Sequence, residues 1–153
     1  MSAPETVLAF DFGLKRVGIA AGDSLTRHAA PRPASICGAK GPDWEALARE
    51  VRALAPARLV VGAPYNEDGS DSVITTLARR FAAECERRFA LPVHLVDERF
   101  SSLEANQTLK ARRASGARRR RVQKADIDSA AAAVILERWF AGEGRSKRGD
   151  GAR

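Results

Sequence analysis

Three acidic residues occupy positions where the hydrophobic pattern leads one to expect apolar ones. Asp11 ends the run TVLAFD, and because side chains alternate across a strand it shares a face with Val7 and Ala9. Glu98 ends PVHLVDE in the same way, on the face of His94 and Val96. Asp128 stands near the start of IDSAAAAVILERWFA, where positions 128, 132, 135 and 139 fall within about 60° of one another on a helix. Those positions read Asp, Ala, Ile and Trp, so Asp128 belongs to an otherwise apolar stripe. Taken singly, each acid has an ordinary explanation, since strand ends favour turn-forming Asp and the first turn of a helix favours negative charge. Asp126, with Ser129 three residues on and no apolar face of its own, fits a capping role better than Asp128 does.

Brought together, three carboxylates repel one another and resist ionisation unless a cation sits between them. His28 and His94 are isolated, as are Cys37 and Cys85, which argues against zinc and leaves hard oxygen ligands suited to Mg²⁺ or Mn²⁺. The chemistry that follows is metal-assisted phosphodiester hydrolysis, in which two ions roughly 3.5–4 Å apart activate water and stabilise the leaving oxygen. Serine-type catalysis has little support, because neither histidine accompanies a G-x-S-x-G turn. Both histidines are expected in structural or supporting roles, and both cysteines as small buried or half-buried residues.

The elements that must position these acids follow from periodicity and breakers. Residues 6–12 and 17–22 read as two strands of a hairpin joined through GLKR. The segment 24–42, with Pro31, Pro33 and Pro42, reads as at most a short edge strand and a connection. Pro42, Asp43 and Trp44 open a helix with apolar residues at 44, 47, 48, 51 and 54, ending at Ala55 before Pro56. A central parallel strand is expected over 57–64, a helix over about 71–90, a strand over 92–98, a helix over about 102–113 and a last helix over about 127–141. The pattern predicts an α/β domain over residues 1–141 with a mostly parallel sheet, one antiparallel strand, and a polar tail over 142–153. Ligands of such sheets gather beyond the carboxyl ends of the strands, which groups Asp11, the 62–70 loop and Asp97/Glu98 along one edge.

Charge points the same way. The chain of 153 residues carries +7, yet residues 110–125 alone hold eight basic side chains and no acid. Setting those eight aside leaves 18 basic residues against 19 acidic ones, a net −1, so the basicity is a local device. A concentrated patch of this kind suits a polyanion, because each phosphate it neutralises releases counterions. The segment lacks the large apolar residues of a membrane-surface anchor. No stretch approaches the roughly 20 apolar residues needed to span a bilayer, and the start lacks a secretory pattern, so a soluble cytoplasmic protein is expected.

Four segments carry a resemblance that runs over roughly residues 6–141: AFDFGLKRVGIAAGD at 9–23, VVGAPYNEDGS at 60–70, DERFSSLEA at 97–105 and DIDSAAAAVILE at 126–137. In that order and spacing they resemble the YqgF family, also called RuvX, whose members are known as nucleases of pre-16S ribosomal RNA and earlier as Holliday-junction-resolvase-like proteins. The resemblance implies a ribonuclease H-like fold, a five-stranded mixed sheet with helices on both faces. It also implies a site of three acids that falls on Asp11, Glu98 and Asp128, and trimming of the 5′ end of ribosomal RNA precursors in bacteria. Gly13 and Gly18 would then let the hairpin backbone approach phosphate, with Lys15, Arg16 and Arg99 as phosphate contacts and Arg118, Arg119, Arg120 and Arg121 as the grip on nucleic acid. The chain departs from the family at Ala63 and Glu67, where Leu and Met are usual, and at Ser101-Ser102, where Ser-Thr is usual. None of these is a metal ligand; they bear on how substrate is held around residues 63–70.

Three other functions share parts of this pattern. D-x-G before a glycine hairpin is also the phosphate loop of actin-like kinases and ATPases, but those enzymes close two such domains around a nucleotide and this chain has the length of one. A resolvase of branched DNA would share the metal chemistry and require a dimer to cut symmetrically. A non-catalytic RNA-binding or transcription-associated factor would need only the arginine segment. As a nuclease, the chain is expected to work as a monomer or weak homodimer.

Overall fold

The computed structural model describes residues 4–63, 72–97 and 124–142 of the chain. Its core is a five-stranded sheet made of β1 (Thr6–Asp11), β2 (Arg16–Asp23), β3 (Ala29–Ile36), β4 (Arg58–Ala63) and β5 (Val93–Asp97). The spatial order is β3-β2-β1-β4-β5. β1 pairs antiparallel with β2 and β2 with β3, whereas β1, β4 and β5 pair in parallel, so β2 alone runs against the rest. This is the expected mixed sheet.

The β1–β2 hairpin turns tightly at Gly13, where an added Cβ would lie 2.7 Å from the Arg16 carbonyl oxygen, so a larger residue would force the turn open. β3 exceeds expectation most, with eight residues where at most a short strand was foreseen. Its position at the sheet edge explains this, because it needs a ladder on one side only. Pro31 and Pro33, which have no N–H, are tolerated there because an edge strand leaves one side of its backbone without a strand partner. Prolines there also discourage pairing with another chain.

Helices α1 (Trp44–Leu54) and α2 (Val73–Phe89) cover one face of the sheet. Asp43 caps α1 by accepting the Ala46 N–H at 3.1 Å. Ser72 and Thr75 form a reciprocal capping box on α2. Both helices end in left-handed alanines, Ala55 and Ala90, where glycine is usual. Beneath them Leu8, Phe10, Val17, Ile19, Leu59 and Val61 from the strands pack with Leu47, Phe81, Ala82 and Cys85. Trp44 stacks on Phe81 at 5.3 Å, with the Arg88 guanidinium 4.5 Å from its ring centre. The cysteines are free, Cys85 buried and Cys37 half-buried, and burial pushes both thiols up.

Helix α3 (Lys124–Ala141) covers the opposite face, packing Ile135, Leu136 and Phe140 on Val7, Ala9, Val60 and Val96. Burying each such large apolar side chain contributes roughly 1.5–3 kcal/mol. The fully buried Ala131 and Ala132 let the helix lie close to the strands. It begins three residues before the expected 127, because the apolar period marks only the packed face and the first turn is polar. The helix is thus already under way at Asp126, which is therefore not its cap as foreseen. Gly142, at φ 84°, ends it. The helix expected over 102–113 and the tail from 143 lie outside the described residues. Among the described helices none is long and apolar enough to cross a membrane.

Candidate active site

Strand register assembles the site from the bottom up. Asp11, the last residue of β1, is level with Gly18 of β2 on one side and with Gly62 of β4 on the other. Gly62 in turn is level with Val96 of β5, and Ala63 with Asp97. The ends of β1, β4 and β5 therefore share one edge of the sheet, as the topology rule required.

Faces sort as alternation predicted. Val7 and Ala9, which share Asp11's side of β1, and Val96 all pack in the cluster under α3. His94 meets Trp139 of α3 at 5.3 Å between ring centres. Its Nε2 also lies 3.2 Å from Arg58 Nη1, a structural role as expected. Asp11 is half-buried at the end of this row. The glycines flanking it place no side chain of their own beside the carboxylate. Gly18 figured in the expectation; Gly62 did not, although a glycine inside the apolar run LVVGA was the available signal.

Helix α3 contributes from above. The Ser129 hydroxyl accepts the Ile19 N–H at 3.3 Å and donates to the Arg32 carbonyl at 2.6 Å. Ile19 follows Gly18, the cross-strand partner of Asp11. The early part of α3, including position 128, is thus held at the Asp11 end of the sheet, while Phe140 lies toward Gly22 and Val7 at the other end. Nothing in the sequence marked Ser129 for this contact except a polar residue heading a row of buried alanines.

Lys15 is exposed in the hairpin turn beside the Asp11 edge, and Arg16 begins β2 half-buried. The Lys15 carbonyl accepts the Cys37 N–H at 2.8 Å, tying this turn to the end of β3. Glu98, Arg99, Arg118, Arg119, Arg120, Arg121 and Glu67 lie outside the described residues, as does the side chain of Asp128. Ala63 is fully buried as the last residue of β4. Among the described residues no three His, Cys, Asp or Glu side chains form a metal-sized group. The expected donor set is nonetheless chemically consistent with Mg²⁺ or Mn²⁺, being carboxylate oxygen throughout and bordered at Asp11 by side-chain-free backbone.

Comparison with known proteins identifies the family and the fold. A protein from Legionella pneumophila strain Philadelphia 1, called "Putative pre-16S rRNA nuclease", is 43% identical over 133 residues, 87% of this chain and 93% of its own. A protein of the same name from Xanthomonas campestris pv. campestris strain B100 is 47% identical over 135 residues, 88% and 86% of the two chains. Among solved structures, Thermus thermophilus RuvC superposes with a TM-score of 0.53 in its complex with a Holliday junction substrate, at 14% identity over 90% of this chain and 94% of that one. RuvC from the same organism in a second structure gives 0.52 at 12% identity, covering 92% and 98%. The fold is accordingly that of RuvC, the ribonuclease H-like sheet that the motifs implied. The family model RuvX, described as Holliday junction resolvase, matches residues 5–142, and the chain belongs to that family.

Proposed function

We propose that this protein is a metal-dependent nuclease that hydrolyses phosphodiester bonds and trims the 5′ end of precursor 16S ribosomal RNA. The observation that carries the reading is the Ser129 contact, which ties the Asp128 end of α3 to the strand residue next to Asp11's partner. Asp11, Glu98 and Asp128 are the proposed ligands of Mg²⁺ or Mn²⁺. When bound, the metal would supply activation of water and stabilisation of the leaving oxygen. The chain's own residues do the rest: the carboxylates fix the ion's position, Gly18 and Gly62 leave space for a phosphate beside Asp11, and Lys15, Arg16 and Arg99 neutralise its neighbours along the strand. Arg118 to Arg121 supply the salt-sensitive grip. The domain so defined is residues 1–141, acting in the cytoplasm as a monomer or weak homodimer. The names of the curated relatives support the ribosomal substrate.

A second reading, resolution of branched DNA, draws on the family description and on the RuvC complex. Cleavage of matched RNA with a 5′ extension, duplex DNA and a four-way DNA junction, each with Mg²⁺, Mn²⁺ or chelator, separates the two. Metal-dependent trimming of the RNA is the expected result. Cleavage of the junction alone would transfer the assignment to DNA, and no cleavage of any substrate would overturn the nuclease reading.

A further inference from the structure

We infer that Ser129 is a positioning residue, whose hydroxyl sets where Asp128 stands relative to Asp11 by completing a break in the β2–β3 ladder. The inference rests on the metal-site reading above and deepens it. Ile19 and Arg32 are cross-strand partners beside a register shift between Val17 and Ile19. At such an irregularity the backbone groups of the two strands cannot all pair with each other. The Ser129 hydroxyl fills that gap, accepting from Ile19 N–H and donating to the Arg32 carbonyl, so one side-chain atom serves both strands. It does so from inside the core, at 3% exposure, where an unmatched backbone group is costly.

A single atom bonded on both sides fixes α3 along the sheet and across it. Sliding the helix by one residue would move Ser129 by about 1.5 Å along its axis and lose both bonds. Because Asp128 immediately precedes Ser129 and Gly18, level with Asp11, precedes Ile19, the contact sets the spacing between two acids supplied by sequence-distant elements. A second anchor lies eight residues on, about 12 Å along the helix. There Glu137 Oε2 accepts the Ala29 N–H at 3.1 Å, on the exposed side and away from Asp11. Glu137 thus offers a control that loosens the same helix on the same strand without touching the site.

The test compares Ser129→Ala, Ser129→Cys and Glu137→Ala in the full chain. Mn²⁺ alone is titrated by calorimetry, and steady-state RNA cleavage gives kcat and KM separately. Loss of partners that orient metal ligands typically costs about 10–100-fold in metal affinity or activity. For Ser129→Ala the Mn²⁺ midpoint should rise by about tenfold or more and kcat should fall with KM near wild type. Ser129→Cys, similar in size but a weaker and longer hydrogen-bonding group, should lie between, and it carries the test if the Ala variant does not fold. Glu137→Ala should lower the melting temperature and leave the Mn²⁺ midpoint unchanged. A wild-type midpoint and kcat in the folded Ser129 variants would overturn the positioning role alone, as would an equal midpoint shift in Glu137→Ala. A wild-type protein that takes up no Mn²⁺ would overturn the metal reading and this inference together.

Discussion

Replacing Asp11 by Asn separates a metal ligand from a structural strand-end residue. Asn has the shape of Asp, so the packing of Val7 and Ala9 behind it is undisturbed, and the flanking Gly18 and Gly62 present no side chain to clash. Substitutions without cavity or strain usually stay within about 0.5 kcal/mol. For 153 residues, an unfolding entropy of about 2.1 cal/mol/K per residue amounts to roughly 0.32 kcal/mol/K, so the metal-free melting temperature should move by less than about 2 °C. Metal changes the comparison. At a hundredfold excess over its dissociation constant a bound ion stabilises the native state by about 2.7 kcal/mol, which on the same entropy is a rise of roughly 8 °C. Asp11→Asn should lose most of that rise and its cleavage activity, and Asp128→Asn should do the same. Scanning calorimetry with Mn²⁺ and with chelator, run beside RNA cleavage, reads both effects. An Asn variant that keeps the full metal-induced rise and wild-type cleavage would refute the assignment of that acid; one that melts well below wild type without metal would make it a structural residue.

Two further outcomes are expected. Replacing Arg118, Arg119, Arg120 and Arg121 together by Ser should weaken RNA binding and flatten its dependence on salt by roughly one unit of slope for each phosphate contact removed, with the rate at saturation much less affected. An unchanged affinity and slope across a salt series would place the nucleic-acid footprint elsewhere. Ala55→Gly and Ala90→Gly should each stabilise the fold, since a left-handed L-residue costs about 1–2 kcal/mol while the added freedom of glycine in the unfolded chain returns about 0.4–1 kcal/mol. The two sites end different helices, so their increments in melting temperature should add.

Much of this protein is legible in its amino-acid order because the relevant physics is local. Alternation in TVLAFD and PVHLVD assigns Val7, Ala9 and Val96 to one face, and those residues pack together under α3. Asp43 and Ser72 begin helices by capping them, and chain breakers at Pro56 and Pro92 follow their ends even though the terminal residues are alanines, not glycines. The same local reasoning singled out Asp11 and Asp128 as acids in apolar rows. It could not establish that β3 extends over eight residues, since that depends on lying at an edge where Pro31 and Pro33 need no partner. Nor could it show Gly62 beside Asp11, or Ser129 closing the gap between Ile19 and Arg32. Those relations join residues as many as 110 positions apart. Register and helix docking are decided when strands and helices pair cooperatively, each contact being favourable only once the others are in place, and no window of neighbouring residues contains that information.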